Sequence, residues 1–323
     1  MSAGIDSSRA AVVGAGAVGG FFGAMLARGG TRVTLLARAA QVAAIARDGL
    51  RLEMGGRVET LRQLTATIDP QAALAGAELV LVCVKSTDTE RVGHEIAPHI
   101  ATDAVVLSLQ NGVENADTLA RCLPGRTVLP AVVYVATAMP EPGLVRHFGR
   151  GDLVIGPRHD RSADAQLVAL LDAVVARFAA AQVPVRIADD VRVELWSKLM
   201  VNCAYNAISA VAQAPYGQLA ALPAIVEAQL GVVREVVALA RAEGIALELD
   251  ASIEAMHRIA VAMPAQLSST AQDLARHKPS EIDHLNGFVA RRGRELGVPT
   301  PLNALLHALV KLIEGSRHAD GAG

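Results

Sequence analysis

The sequence from Arg9 to Gly30, RAAVVGAGAVGGFFGAMLARGG, decides the fold of this chain. An apolar run ending at Val13 is typical of a buried strand, and the pattern Gly-x-Gly-x-x-Gly follows it at once. An apolar helix is expected next, closed by Gly29-Gly30. The glycine pattern alone is weak evidence for a dinucleotide-binding fold. Strand, glycines and helix in this order form the dinucleotide-binding fingerprint of a Rossmann-type fold, and an ordinary strand-turn-helix is the alternative.

The three glycines of the fingerprint have separate expected roles. Gly14 makes the tight turn, Gly16 lets the backbone approach a pyrophosphate, and Gly19 lets the helix pack closely on the strand. The N-terminus of the helix also offers free N–H groups to the phosphates. We therefore expect the pyrophosphate of the cofactor at Gly14, Ala15, Gly16, Ala17, Val18 and Gly19.

The residues after the second expected strand bear on which dinucleotide binds. That strand, Thr31 to Leu36, leads into Arg38. An NAD site usually has an Asp or Glu here to hold the ribose 2′-hydroxyl, but no acid occurs between Gly29 and Asp48. Arg38 is placed to pair with a 2′-phosphate through its fork of donors. An ordinary surface arginine is the alternative, and the missing acid favours NADP as the cofactor.

Two further polar residues are expected at the same edge of the sheet. Lys85 and Asn111 each follow an apolar run that is typical of a buried strand. Ligands of an open parallel sheet bind beyond the carboxyl ends of its strands, where Gly14 and Arg38 also lie. Lys85 or Asn111 alone could be a turn residue. The four together outline one crevice for the cofactor.

Three polar side chains recur every four residues in a stretch otherwise typical of a buried helix: Lys198, Asn202 and Asn206. Residues four apart in a helix lie nearly one above another, about 6 Å apart along the axis. We call these three residues the polar ladder. Burying an ammonium and two amides costs on the order of several kcal/mol unless partners satisfy them. A polar small molecule could be that partner; a structural ion pair of Lys198 with Glu281 is the alternative.

The length of the chain and the change from strands to proline-separated helices predict two domains. A chain of 323 residues is long for one core, and from residue 189 onward helices punctuated by prolines replace the strands. The expected fold is α/β, with an NADP-binding Rossmann-type domain at 1–188 and an all-helical substrate and catalytic domain at 189–323. We expect a hairpin over 50–61, strands at 127–135 and 153–155, and a helix over 281–296.

Composition excludes several classes of protein. A net charge of −2 and only 3% aromatic residues argue against a nucleic-acid partner. No apolar run reaches the length of a membrane span, and the first eight residues are too short and polar for a secretory signal. Three isolated cysteines are typical of free thiols in a reducing compartment, so we expect a cytoplasmic protein. His94 and His99 lack the four-residue spacing of helical zinc ligands, so no metal is expected.

The motifs of the chain match one known family in order. They are Gly14–Gly19, Arg38, Lys85, Gln110-Asn111-Gly112, the polar ladder, Ser268-Ser269 with Gln272-Asp273, and Ser280-Glu281-Ile282-Asp283 with Asn286-Gly287. In these motifs, which span nearly the whole chain, the protein resembles the ketopantoate reductase family. Its members are NADPH enzymes that reduce 2-dehydropantoate to pantoate on the way to pantothenate and coenzyme A.

The resemblance implies a role for each matched residue. Lys198 is the implied proton donor, and Glu281 the implied catalytic partner of both substrate and cofactor. Lys85 and Asn111 complete the implied cofactor site. The carboxylate and hydroxyl of a small 2-oxo acid are then held by Asn111, Lys198, Asn202, Asn206 and Ser269. The resemblance leaves a homodimer open as the assembly.

The chain departs from the family pattern in three places. Tyr216 stands where these enzymes often have an Asn that touches the substrate, the stretch Val133–Ala136 replaces one often rich in Thr, His and Ala, and Ser280 replaces a Thr. The first two leave open a different small 2-oxo acid as substrate. A non-catalytic NADP-binding sensor is the alternative from another class. Ser280 could also be a plain helix N-cap, with Asp283 as its capping-box acid.

Overall fold

The computed structural model describes residues 8–157 and 164–320, with the side chains of the last helix described as far as Ser316. The chain divides into two compact units, Met1–Val191 and Arg192–Gly323. The boundary expected after residue 188 lies close to this division. Strands occur in the described part of the first unit and helices alone in that of the second. The predicted class, a Rossmann-type α/β unit followed by an all-helical one, is confirmed.

The first unit is built on one mixed sheet. Its described strands are β1 (Arg9–Val13), β2 (Arg32–Leu36), β3 (Leu50–Met54), β4 (Arg57–Leu61), β5 (Thr65–Thr67), β6 (Leu79–Val82), β7 (Val105–Ser108), β8 (Thr127–Glu141), β9 (Leu144–Ile155) and β10 (Val185–Ile187). Its described helices are α1 (Ala17–Arg28), α2 (Ala39–Asp48), α3 (Pro70–Leu74), α4 (Thr89–Ile96), α5 (Asn115–Cys122) and α6 (Ala165–Ala180).

The strand order places the expected cofactor residues at one edge. The order is β4-β3-β9-β8-β7-β6-β1-β2-β5, with β10 paired to β9. Strands β7, β6, β1 and β2 are neighbours and run parallel, so their carboxyl ends lie side by side. Gly14, Arg38, Lys85 and Asn111 each follow the end of one of these four strands.

The parallel strands are buried on both faces. Ala10 and Val12 of β1 face the larger core cluster with α1 and α6, while Ala11 and Val13 face a second cluster with α4 and α5. Successive side chains of a strand point to opposite faces, and both faces are covered here. This explains why β1 and β6 appear in the sequence as continuous apolar runs without alternation.

One expected hairpin is confirmed and a longer one was missed. β3 and β4 pair antiparallel as predicted, and Gly55 and Gly56 have φ of 58° and 75°, the left-handed backbone that a two-residue turn requires. The strands expected at 127–135 and 153–155 are instead the two arms of the long β8–β9 hairpin. Register shifts after Tyr134, Ala136 and Ala138 break the two-residue period of the strands. The alternation of apolar and polar residues therefore did not predict the full length of β8 and β9.

The second unit is a set of packed helices. They are α7 (Val191–Ala212), α8 (Tyr216–Ala220), α9 (Pro223–Ala242), α10 (Leu249–Ala262), α11 (Ser269–Ala275), α12 (Asn286–Leu296) and α13 (Pro301–Asp320). A small core holds α7, α11 and α13 together through Ala207, Ala210, Ala271, Leu274, Ile282 and Val310. None of the described helices combines the length and apolarity needed to cross a membrane.

The helix predicted to begin at Glu281 is wrong at its start. Glu281 precedes a short 3-10 turn, Ile282–His284, and α12 begins only at Asn286. Leu285 has φ of −112° and ψ of −107°, which interrupts the helical path. The proposed capping box is wrong as well, because the carboxylate of Asp283 pairs with His307 and Lys311 instead of the backbone at Ser280.

Candidate functional site

The turn after β1 is built as a close backbone crossing. Gly14 has φ of 94°, and a Cβ on it would lie 2.8 Å from the backbone nitrogen of Val84. Its N–H donates to the carbonyl of Leu36 at 3.0 Å, which ties the turn to the end of β2. A Cβ on Gly19 would lie 2.9 Å from Val12 Cγ1. A larger residue at either glycine would therefore push strand and helix apart.

The second glycine of the fingerprint faces open space. Gly16 is exposed, and nothing lies within 4 Å of the position that its Cβ would take. It is also the N-cap of α1, and no side chain caps that helix. The N–H groups of the first turn, beginning at Ala17 and Val18, thus retain their partial positive charge toward that space. This local arrangement suits a phosphate or pyrophosphate.

Arg38 lies at a second helix N-terminus. It is exposed, lies two residues after the end of β2 and occupies the N-cap position of α2. The carbonyl of Arg38 accepts hydrogen bonds from the N–H groups of Gln41 and Val42, so its backbone forms the start of the first turn of α2. A cationic residue at a helix N-terminus favours a dianion such as a phosphate monoester.

A buried polar network holds the loop that carries Asn111. The carbonyl of Asn111 accepts from Ser86 Oγ at 2.9 Å and from Asn115 Nδ2 at 2.5 Å. Thr89 Oγ1 donates to Asn115 Oδ1 at 2.8 Å, and Gln110 Nε2 donates to Thr89 Oγ1 at 2.6 Å. This network joins the carboxyl ends of β6 and β7. It fixes the backbone from which the side chain of Asn111 projects.

Sequence reasoning missed the supporting residues of this network. Ser86, Thr89 and Asn115 are all buried, between 2% and 5% exposed. Their signal in the sequence was present but weak, because hydroxyl and amide residues after strands are also common in ordinary turns. Lys85, the residue that was singled out, is exposed at the start of the 3-10 turn Ser86–Asp88.

The polar ladder lies on α7, and its three members differ in burial. Lys198 and Asn202 are half-buried, whereas Asn206 is only 3% exposed. Their neighbours Leu199, Met200 and Cys203 are buried. The helix therefore presents one line of polar groups among apolar ones, and that line grows more enclosed toward Asn206.

The surroundings of Asn206 connect the ladder to α8 and α11. Ser268, the N-cap of α11, donates from Oγ to the carbonyl of Asn206 at 3.1 Å and accepts from the N–H of Ala271 at 3.0 Å. The hydroxyl of Tyr216 donates to Asn206 Oδ1 at 3.4 Å. The expected substrate residue Ser269 comes next after Ser268, exposed at the first position of α11.

Tyr216 is enclosed and remains a neutral donor. It is 7% exposed, and its ring lies 4.6 Å from that of Tyr205, measured between centroids. Burial raises the pKa of the Tyr216 hydroxyl well above its ordinary value, and the nearby Tyr205 raises it further. A proton is therefore always available for the bond to Asn206.

Glu281 is half-buried on a loop that packs against the same helices. Ile282, the residue after it, belongs to the core cluster with Ala207 and Ala210 of α7. Asn286 Nδ2 donates to the carbonyl of Cys203 at 3.1 Å, which fixes the start of α12 to the ladder helix. The second unit thus brings the elements that carry Lys198, Ser269 and Glu281 together around one segment of α7.

Two family models cover most of the chain. The model described as Ketopantoate reductase PanE/ApbA matches residues 10–160, and the model described as Ketopantoate reductase PanE/ApbA C terminal matches residues 190–314. The two matches fall in the first and the second unit, respectively.

Individual relatives agree with these models. The chain is 34% identical to a 2-dehydropantoate 2-reductase of Halobacterium salinarum over 308 residues, which cover 95% of this chain and 99% of the relative. It is similar to the crystal structure of a PanE/ApbA family ketopantoate reductase from Ralstonia eutropha JMP134, with a TM-score of 0.88, 52% identity and coverage of 96% and 99%. A D-mandelate dehydrogenase complex with NADH and anilino(oxo)acetate shares the fold, at TM-score 0.88, 24% identity and coverage of 95% and 99%.

Proposed function

The chain belongs to the ketopantoate reductase family, and we propose that it reduces 2-dehydropantoate to pantoate with NADPH, a step in pantothenate and coenzyme A biosynthesis. The observation that carries this proposal is the packing of α7, the helix of the polar ladder, against α11 with Ser269 and against the Glu281 loop, which a plain dinucleotide-binding fold does not need. A non-catalytic sensor would have no use for an ammonium and two amides in line on a largely apolar helix.

The first unit has the features that NADPH requires. We assign the pyrophosphate to the first turn of α1, where Gly16 faces open space and Gly14 and Gly19 allow the close approach of turn, strand and helix, and the 2′-phosphate to Arg38 at the start of α2. Lys85 and Asn111, at the ends of β6 and β7, are assigned to the remainder of the cofactor. When bound, NADPH supplies the hydride for the keto carbon.

The second unit supplies the groups that hold a 2-oxo acid. We assign the carboxylate and hydroxyl of the substrate to the amides of Asn202 and Asn206 and the hydroxyl of Ser269. Amides and hydroxyls both donate and accept hydrogen bonds, as a keto acid with a terminal hydroxyl demands. Asn202 is half-buried, whereas Asn206 is enclosed.

Lys198 is the proposed general acid. As hydride adds to the keto carbon, negative charge grows on the carbonyl oxygen, and the Nζ ammonium of Lys198 stabilises that charge and donates its proton there. General-acid catalysis of this kind contributes roughly 10²–10⁴-fold. A carboxylate favours the charged form of a neighbouring lysine, and we assign that part to Glu281, which also orients the substrate.

The experiment that tests the proposal follows both substrates and both products. Purified protein is mixed with NADPH and 2-dehydropantoate, and NADPH oxidation is compared with pantoate formation by mass spectrometry. One pantoate should form for each NADPH consumed. NADPH binding without pantoate formation would favour the sensor and contradict the proposed function.

A second candidate function is reduction of a different small 2-oxo acid. The observation that favours it is Tyr216, whose enclosed ring and hydroxyl contact Asn206 where the family often has an asparagine. If the chain is adapted to another acid, Tyr216→Asn should raise kcat/KM for 2-dehydropantoate by roughly 2- to 13-fold, the worth of one hydrogen bond. A fall in kcat/KM from an efficient parent would remove this candidate.

Assembly and location stay predictions. We propose a homodimer, which analytical ultracentrifugation checks by mass, and a cytoplasmic location, which cell fractionation checks. A monomer that turns over at full rate would show that no second subunit is needed for the reaction.

A further inference from the structure

The loop that carries Glu281 is tied to the last helix on its N-terminal side. Both the N–H and the Oγ of Ser280 donate to Oε1 of Glu314, at 2.8 and 2.7 Å. Ser280 is 3% exposed, and its Oγ also accepts from the N–H of Ile282 at 3.3 Å. Oε1 of Glu314 therefore fixes Ser280, the residue before Glu281. Through the Ser280 hydroxyl, the same oxygen is also linked to Ile282, the residue after Glu281.

The same helix holds the loop on its C-terminal side. Asp283 Oδ1 lies 2.6 Å from His307 Nε2, and Asp283 Oδ2 accepts from Lys311 Nζ at 2.9 Å. Lys311 Nζ also lies 3.0 Å from Glu314 Oε2, so one ammonium bridges the two carboxylates. The three α13 residues are four and three apart in sequence and so share one face of the helix. Glu281 stands between two residues anchored to that face.

The pKa values of Glu314 and Lys311 are shifted in the directions that keep both groups charged. Burial opposes the charged form of Glu314, but the hydrogen bonds from Ser280 and the ammonium of Lys311 outweigh it and lower the pKa of Glu314. The hydrogen bond to Asp283 raises the pKa of Lys311 against its partial burial. Hydrogen bonds to charged groups are the stronger kind, so this contact holds the loop more firmly than a neutral pair would.

We propose that Glu314 is a positioning residue, which acts through Ser280 to set the backbone from Ser280 to Asp283 and thereby the place of the Glu281 carboxylate. This inference rests on the catalytic role proposed for Glu281. Lys311 supports Glu314 by holding its second oxygen. The last helix thus has a part in the reaction although Glu314 is assigned no contact with substrate or cofactor.

The test combines two substitutions at Glu314 with a control substitution on α9, at a residue that anchors the other end of α13. Glu314→Ala removes both hydrogen bonds to Ser280, and Glu314→Gln keeps an acceptor of the same shape without the charge. The control is Glu235→Gln, because Glu235 accepts from the N–H groups of Leu302 and Asn303 at the other end of α13. It perturbs the anchoring of the helix at a point where the hydrogen bonds go to Leu302 and Asn303 and not to the stretch from Ser280 to Asp283.

Steady-state kinetics should separate positioning from mere stability. We expect Glu314→Ala to lower kcat/KM for 2-dehydropantoate on the order of 10- to 100-fold, as for lost hydrogen bonds to a charged group, with KM for NADPH little changed. Glu314→Gln should recover part of that loss. Glu235→Gln should keep the parent kcat/KM even if its Tm falls as far as that of Glu314→Ala. In a Glu281→Ala background, adding Glu314→Ala should have almost no further effect. A full additional loss in that background would overturn the inference.

An activity-independent measurement separates this inference from the proposed function. Amide hydrogen exchange at Ser280 and Ile282 should speed up in Glu314→Ala and remain at the parent rate in Glu235→Gln, whatever substrate the protein uses. Unchanged exchange in Glu314→Ala would overturn the positioning role. Faster exchange in Glu314→Ala, together with a parent protein that does not reduce 2-dehydropantoate, would support the anchoring and contradict only the proposed function.

Discussion

The hydroxyl of Tyr216 lies 3.4 Å from Oδ1 of Asn206, the most enclosed member of the polar ladder. A side-chain amide can turn over, exchanging its donor and acceptor atoms. A tyrosine hydroxyl that points at the oxygen favours the orientation in which Nδ2 faces the other way. Tyr216 therefore influences the direction in which Nδ2 of Asn206 donates. Tyr216 is also one of the positions where the chain departs from the expected family pattern.

Removing the Tyr216 hydroxyl should weaken substrate recognition. Tyr216→Phe keeps the ring against Tyr205 and deletes only the bond to Asn206. Losing one such hydrogen bond is worth about 0.5–1.5 kcal/mol, so we expect kcat/KM for 2-dehydropantoate to fall by roughly 2- to 13-fold. Steady-state kinetics check this, with Tyr205→Phe as control because its hydroxyl bonds the carbonyl of Met256. Equal effects of the two substitutions would speak against a specific role for Tyr216.

Arg38 should determine the choice of cofactor. The parent is expected to prefer NADPH over NADH. Arg38→Ala should narrow that preference by about 1.5–3 kcal/mol, roughly 10- to 160-fold in kcat/KM, because charge-assisted bonds to the 2′-phosphate are lost. Arg32→Ala is the matched control, since Arg32 is exposed at the opposite end of β2. A parent that uses both cofactors equally well contradicts the assignment.

Lys198 should be required for chemistry more than for cofactor binding. We expect Lys198→Ala to lower kcat by roughly 10²–10⁴-fold, the usual contribution of a general acid, with NADPH affinity little changed. Lys278→Ala, which removes an exposed ammonium from the same unit, should retain the parent kcat. If Lys198→Ala unfolds the protein or keeps full kcat, the ammonium is structural.

The carboxylates that anchor the Glu281 loop should make the protein acid-sensitive. Burial opposes the charged form of Asp283, but hydrogen bonds from His307 and Lys311 outweigh it and lower the pKa of Asp283, as the pKa of Glu314 is lowered. A carboxyl with a lower pKa in the folded state stabilises that state above its unfolded pKa, and the contribution is lost as pH falls through the folded pKa.

Urea unfolding between about pH 6 and about pH 3 checks this expectation, across the ordinary carboxyl range. The free energy of unfolding of Asp283→Asn/Glu314→Gln should start lower than that of the parent and fall less steeply with acid. Parallel curves for parent and double variant would show that these two groups contribute nothing to the acid dependence.

The local parts of the fold followed from the sequence. Gly14, Gly16 and Gly19 could be interpreted because strand, turn and helix are continuous in the chain, and the glycine spacing has a direct steric reason. Arg38 could be placed by counting from the same motif. The polar ladder was visible because one helix carries all of it.

The missing parts depend on contacts between distant residues. Glu314 meets Ser280 across 34 positions and Asn115 meets Ser86 across 29, and no local pattern marks either pair. The stretch from Glu281 matched a helix, but bonds from Ser280 and Asp283 to α13 hold it as a loop. Bulges similarly hid the length of the β8–β9 hairpin.

The comparison that tests the central claim most directly is steady-state reduction of 2-dehydropantoate against 2-oxoisovalerate, both with saturating NADPH. 2-Dehydropantoate carries a hydroxymethyl group that 2-oxoisovalerate lacks, and the hydroxyl of this group is what the amides of the ladder are proposed to bind. A site built to bond a hydroxyl discriminates strongly against an analogue that lacks it, so kcat/KM for 2-dehydropantoate should be higher by at least about tenfold. Equal values, or a preference for 2-oxoisovalerate, would contradict the account.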